Sequence, residues 1–212
     1  MQKNNQVAVI GGTGKAGRYL VNQLVGKGIS VRLLLRDPSR FYEASPLIEC
    51  IHGDARNPDA MLQLIDGSQA VMSTLGQPQG EGSIFSDATG NVIRALAPSL
   101  NKRYILITGL NVDTPMDRKG SYAKSATKWM KSNYPETTTD KQREWEMLVS
   151  SNLDWTLVRL PLIELTEQES EINVSLEDCP GTKINAGSLA AFLIKQLKDE
   201  TYLKQSPFIA NR

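Results

Sequence analysis

The chain has 212 residues, with 24 Lys and Arg against 23 Asp and Glu. That length suits one domain, expected over 1–212, with a sizeable core of its own. The near-balanced charge gives no bias toward nucleic acid or an anionic membrane, and no apolar run approaches the roughly 18 residues a membrane helix needs.

The first residues, MQKNNQ, pass directly into an apolar run, so no signal peptide is expected. Without a secretory signal, Cys50 and Cys179 are expected as reduced thiols, and the expected compartment is the cytoplasm. The single histidine, His52, stands at the end of an apolar run and reads as a strand-end residue. There is no zinc-type Cys/His spacing and no HExxH, so no metal site is expected.

In chain order, strand one is predicted over 6–11 and a helix over 15–27, with Ala16, Leu20 and Leu24 on one face and Gly28 as the stop. Strand two follows at 29–35 and strand three at 47–52. Asn57-Pro58 opens a short helix over 58–65. Strand four is predicted at 69–75, a polar Gly/Pro-bearing loop at 76–82, a helix at 84–97 and strand five at 103–109. Residues 110–136 read as irregular and charged, and the Lys cluster in them (Lys124, Lys128, Lys131, with Arg118-Lys119 before it) as a solvated face. A helix over 140–150 is expected, with Thr139 and Gln142 at capping-box spacing. Strand six is predicted at 154–159, a loop with one short strand (INVSL) at 161–182, an amphipathic helix at 186–198, and a last strand in SPFIA.

Alternating short apolar strands and helices imply a parallel sheet covered on both faces. In such a sheet the ligand lies at the carboxyl ends of the strands. That rule selects 11–17, 36–40, 53–55, 73–80 and 108–111.

Gly11, Gly14 and Gly17 follow strand one at three-residue spacing. Glycines there let the backbone approach a pyrophosphate, and the N–H groups of Thr13, Lys15 and Ala16 at the start of the next helix can meet its charge. Arg36 ends strand two, where an NAD-preferring site commonly carries an acidic residue; a guanidinium suits the 2′-phosphate of NADP instead, and Arg40 adds a second charge. Thr74, Leu75 and Gly76 end strand four, where the cofactor ribose and nicotinamide should pass.

The ordered set VIGGTGKAG (9–17), LLRDPSR (34–40), GDARNPD (53–59), DGSQAVMSTLG (66–76), ATGNVIRA (88–95), LDWTLVRLP (153–161) and INAGSLAAFLIKQL (184–197) resembles the atypical branch of the short-chain dehydrogenase/reductase superfamily. Within it, the similarity is to NAD(P)H-binding NmrA-like proteins and to the biliverdin-IXβ reductase/flavin reductase group. The resemblance implies an α/β, Rossmann-like, doubly wound parallel sheet in three layers with a small C-terminal substrate-side segment. It implies NADP(H) as cofactor, with an Arg-Asp pair matching Arg36-Asp37. It also implies that Asp54 and the N–H of Ala55 read the adenine edge, and that Lys141 holds nicotinamide ribose hydroxyls.

The usual Tyr-xxx-Lys proton-transfer pair of that superfamily is absent: none of the six tyrosines has a Lys four residues on. Lys141 stands where the family's Lys would, with Thr137 four before it, and Gly109 stands for the usual Ser unless Thr108 substitutes. Thr108 and Lys141 are thus the candidate catalytic groups. A conjugated acceptor such as a flavin or quinone needs little acid/base help, because solvent can supply the proton. The expected activity is therefore NADPH-dependent reduction of such an acceptor. The acceptor site is expected from Gln77–Ser83, Asn111–Tyr122 and the loop after Pro161, with Met116 and Trp129 as apolar contacts. The alternative is a non-catalytic NADP(H)-sensing regulator of NmrA-like type.

Overall fold

The computed structural model describes residues 5–41 and 45–212, except for the side chain of Arg40. An eight-stranded sheet forms the middle layer, in the order β3-β2-β1-β4-β5-β6-β10-β8. Its strands are β1 Gln6–Ile10, β2 Ser30–Leu35, β3 Ile48–His52, β4 Ala70–Ser73, β5 Arg103–Gly109, β6 Asp154–Leu160, β8 Ile172–Ser175 and β10 Phe208–Asn211. All pairings are parallel except β10 with β8. Two short strands, β7 Leu162–Glu164 and β9 Lys183–Asn185, pair separately, and neither was predicted.

Side chains alternate across the sheet and give it two cores. Val7 and Val9 face helices α1 (Gly17–Gly26) and α6 (Ala186–Lys195), packing with Leu20, Leu24, Leu189 and Leu193. Ala8 and Ile10 face the other way, where Met61 and Leu64 of α2 (Pro58–Ile65) and Val92 of α3 (Phe85–Leu96) join Tyr104 and Trp155. Strand order reverses between β1 and β4, so the turns after these two strands diverge and leave a crevice at their carboxyl ends.

The segment 110–136 is irregular only up to residue 120. It holds α4 (Ser121–Asn133), and α5 (Pro135–Ser150) starts before the segment ends. Only Ala123 and Thr127 of α4 are buried, so the helix has almost no apolar period to betray it. It is anchored by polar contacts instead. Thr127 Oγ1 donates to the Leu110 carbonyl at 2.8 Å, and Lys119 Nζ donates to that same carbonyl at 2.7 Å and to Asp113 Oδ1 at 2.6 Å. Lys119, expected on a solvated face, is therefore buried.

The predicted capping box is also corrected. α5 begins at Pro135, which suits a first helical position, and Thr139 lies inside the helix. Gln142 instead accepts from the Asp113 N–H at 2.9 Å and donates to the Asp113 carbonyl at 3.0 Å. Asp140, on α5, caps a different helix. Its carboxylate accepts from the N–H groups of Phe85 (2.8 Å) and Ser86 (3.3 Å) and from the hydroxyls of Ser83 (2.6 Å) and Ser86. Trp145 packs against the core, whereas Trp129 is 56% exposed, because its helix buries only Ala123 and Thr127. Among the described residues no helix is long and apolar enough to cross a membrane.

Candidate cofactor cleft

A cleft of about 780 Å³ opens at the carboxyl ends of β1, β2, β3 and β4. Its walls include Gly11, Thr13, Gly14, Lys15, Ala16, Arg36, Asp54, Ala55, Thr74, Leu75 and Gly76, a set of candidates drawn from four separate stretches of sequence.

The turn after β1 has geometry that only glycine permits. Gly11 has φ +73°, and a Cβ there would lie 2.8 Å from the Leu75 backbone. A Cβ on Gly17 would come within 2.1 Å of the Gly11 carbonyl oxygen, so this glycine sets how closely α1 approaches the turn; it lies behind the cleft wall, not on it. Gly14 N–H donates to the Gly11 carbonyl at 3.0 Å and closes the turn. Thr74 is buried, and its hydroxyl donates to the same carbonyl at 3.1 Å, tying the ends of β1 and β4 together. Around Gly76 nothing lies within 4 Å of where a Cβ would be, so the backbone there faces open space. α1 begins at Gly17 with Ala16 as its N-cap, and no side chain caps it. The Arg18 and Tyr19 N–H groups donate to the Gly14 and Ala16 carbonyls at 3.2 Å, so an anion there would meet the amides of the turn before them and the positive end of the helix dipole. A glycine turn, an uncapped helix start and a long cleft are what a dinucleotide needs, so the residues present fit the expected group.

The far end of the cleft is charged. Arg36 Nη1 lies 2.5 Å from Glu81 Oε1, and Arg56 Nη2 lies 2.7 Å from Glu81 Oε2. Arg56 also grips Asp54, with Nε 2.9 Å from Oδ1 and Nη2 2.7 Å from Oδ2. The Arg56 hydrogen bond holds the Asp54 carboxyl below the usual range, and the two arginines do the same for Glu81. Glu81 sits on the loop after β4, which Gln77 Nε2 staples by donating to the carbonyls of Glu81 (2.9 Å) and Gly82 (3.0 Å). Arg56 and Glu81 were not singled out from sequence; GDARNPD held Arg56 in plain view, but Glu81 meets it only through the fold. The Arg40 side chain falls outside the described residues.

Apolar walls come from Ile10, Leu34, Leu35, Phe41, Ile107 and Ile163. Ile163 belongs to β7, one of the unpredicted strands.

Thr108 and Lys141 do not line the cleft. Lys141 does not open a helix but lies in its second turn. Its Nζ sits 3.4 Å from Thr108 Oγ1 and 3.8 Å from the centroid of the Phe85 ring, and burial lowers its pKa. Glu144 is 3% exposed, accepts from the Thr89 hydroxyl at 2.7 Å, and is pushed up to about 7 by burial. Met116 is exposed, like Trp129.

Fold and cleft define a Rossmann-like dinucleotide-binding protein. More particularly, the chain belongs to the NAD(P)H-binding family, whose profile matches residues 11–200. Over 213 aligned residues it is 23% identical to an uncharacterized chloroplastic protein of Arabidopsis thaliana, covering 96% of this chain and 74% of that one. It spans only 35% of a tobacco isoflavone reductase homolog. Among solved structures, a short-chain dehydrogenase/reductase of Veillonella parvula in complex with NADP superposes with TM-score 0.79 at 16% identity, over 97% of this chain and 94% of that one. A Streptococcus pneumoniae protein with the provisional name NADH-flavin reductase superposes with TM-score 0.75 at 19% identity, over 98% and 99% of the two chains. At these identities the structures show the shared fold.

Proposed function

We propose that this protein binds NADPH in the cleft and reduces a conjugated acceptor such as a flavin or quinone. The observation that carries the cofactor choice is the pair of guanidiniums, Arg36 and Arg56, held by one carboxylate at the cleft's far end. Two arginines converging on an anion match a 2′-phosphate in charge and in hydrogen-bonding geometry. Glu81 then stands where that phosphate would bind and yields to it.

The bound nicotinamide would supply the hydride. The chain's own part is positioning and exclusion of water. Gly11 and Gly14 give the close backbone approach, the uncapped start of α1 meets the pyrophosphate charge, and Ile107 and Ile163 make a dry wall. No side chain with a pKa suited to proton transfer is among those lining the cleft near Gly76, which favours an acceptor whose proton comes from solvent. The test is NADPH and NADH oxidation with FMN or menadione as acceptor. Steady NADPH turnover, with NADH much slower, supports the reading; no turnover with any acceptor in a broad panel overturns the enzymatic part of it.

A second reading, an NADP(H)-sensing regulator, draws on the burial of Lys141 under Phe85, away from the cleft. It expects redox-selective cofactor binding without turnover, and turnover at a useful rate removes it.

A further inference from the structure

The loop between β4 and α3 is tied down at two places. At the far end of the cleft the Glu81 carboxylate meets Arg36 at 2.5 Å and Arg56 at 2.7 Å. Two residues on, Ser83 is held by α5: its N–H donates to Glu136 Oε1 at 3.1 Å and its hydroxyl to Asp140 Oδ2 at 2.6 Å. The Gln77 carboxamide gathers the loop from inside, donating to the carbonyls of Pro78 (3.2 Å), Glu81 (2.9 Å) and Gly82 (3.0 Å). Gly80, with φ +75°, makes the turn that brings the last two round to it.

Three hydrogen bonds to one carboxamide make residues 77–82 a single piece, so a shift of Glu81 carries Gln77 and Pro78 with it. Both of these line the cleft beside Gly76. Little resists their movement there. The Thr137 hydroxyl of α5 reaches Gln77 Oε1 at 3.4 Å, a long contact, and the backbone of Gly76 faces open space.

The two anchors answer a nucleotide differently. The bonds of Ser83 to α5 involve no group that lines the cleft. The Glu81 side chain is held by ion pairs whose three members are all open to solvent, and such pairs are weak. A phosphate arriving on the same two guanidiniums takes both partners from the carboxylate and repels it. We propose that residues 77–82 form a strap released by a 2′-phosphate, an inference that rests on the reading of Arg36 and Arg56 as the 2′-phosphate site. While Glu81 holds the two arginines, the strap stays against the cleft wall. A ligand carrying the phosphate frees it to swing between Gly76 and Ser83. The phosphate thus acts at a distance, on the stretch of wall where an acceptor would approach the nicotinamide. NADPH opens that approach and NADH leaves it shut.

The test is cleavage of the full chain under native conditions by endoproteinase Glu-C, which cuts after glutamate. Mass spectrometry follows the Glu81–Gly82 bond, with cuts after other glutamates as the internal reference. Cleavage needs local opening around the bond, so its rate follows the open population. Saturating adenosine 2′,5′-bisphosphate should speed this cut about tenfold, while adenosine 5′-monophosphate, which lacks only the 2′-phosphate, should leave it unchanged. A bound ligand ordinarily protects a chain from proteolysis, so the sign is itself diagnostic. Arg56→Ala, which leaves Glu81 one arginine, should speed the cut about threefold without any ligand. The two-nucleotide comparison needs no substitution and stands even if that variant fails to fold. Calorimetric titration of both nucleotides separates the outcomes. If the bisphosphate binds more tightly than the monophosphate and the cut is unchanged or slowed, the strap is overturned and the 2′-phosphate site stands. If both nucleotides speed the cut equally, the 2′-phosphate is not what releases the loop, and the strap is again overturned. If the bisphosphate binds no more tightly than the monophosphate, the proposed cofactor choice falls and the strap with it.

Discussion

Arg36 Nη1 and Glu81 Oε1 lie 2.5 Å apart at the far end of the cleft, joining the end of β2 to the loop after β4. The same carboxylate reaches Arg56, so one acidic side chain holds two guanidiniums at the place expected for the cofactor's 2′-phosphate. Glu81 is thus a competitor for that phosphate. Glu81→Gln should tighten NADPH binding by about two- to fivefold, in line with the modest worth of exposed ion pairs, and leave NADH binding unchanged. Raising the salt concentration should shrink the gain. Isothermal titration at two ionic strengths checks both statements. Weaker NADPH binding in the variant would show that Glu81 supports the cofactor instead.

Asp140 fastens α5 to the start of α3 through four hydrogen bonds. It does the work of an N-cap from outside the helix. Asp140→Ala leaves two backbone N–H groups and two hydroxyls without this partner, and should cost about 1–2 kcal/mol. Urea denaturation measures it; a loss below about 0.5 kcal/mol contradicts the capping role.

Glu144 has a pKa raised to about 7 by burial. The folded protein therefore holds its proton more tightly than the unfolded chain, where a Glu titrates near 4.3. Its stabilising effect is complete below about pH 4 and is lost as the pH rises through 7. Glu144→Gln should remove this loss, so the stability difference between variant and parent should move in the variant's favour by up to about 3 kcal/mol from pH 4 to pH 8. Denaturation curves across that range test it. A pH-independent difference would show that Glu144 carries the same proton affinity folded and unfolded.

The strand-helix alternation and the glycine turn were legible in the sequence because both rest on local rules. Apolar runs of four to seven residues are bounded by glycines, and Asn57-Pro58 marks the start of α2, where Asn57 Oδ1 accepts from the N–H groups of Asp59 and Ala60. α4 was not legible, because Ala123 and Thr127 are all it buries and its anchors include polar contacts from Thr127 to Leu110 and from Lys131 to Asp113. The start of α5 was misplaced for a related reason: Thr139 and Gln142 have capping-box spacing, but Gln142 is taken by Asp113. In the cleft, Arg36 and Asp54 were readable from their positions at strand ends. Their partners were not, since Glu81 meets Arg36 across 45 residues of sequence. Lys141 was placed at the nicotinamide ribose from its position near the start of a helix, and only packing under Phe85 shows that it is buried away from the cleft.

The measurement that bears most directly on NADP(H) as the cofactor is the affinity of Arg36→Ala for NADPH and NADH, side by side, by titration of cofactor fluorescence. Arg36 is exposed and, among the described residues, its ion pair is with Glu81, so the fold should survive the change. Loss of a charge-assisted contact to the 2′-phosphate should weaken NADPH binding about tenfold or more and leave NADH within about twofold of the parent. Equal losses for the two cofactors would contradict the assignment of this end of the cleft to a 2′-phosphate.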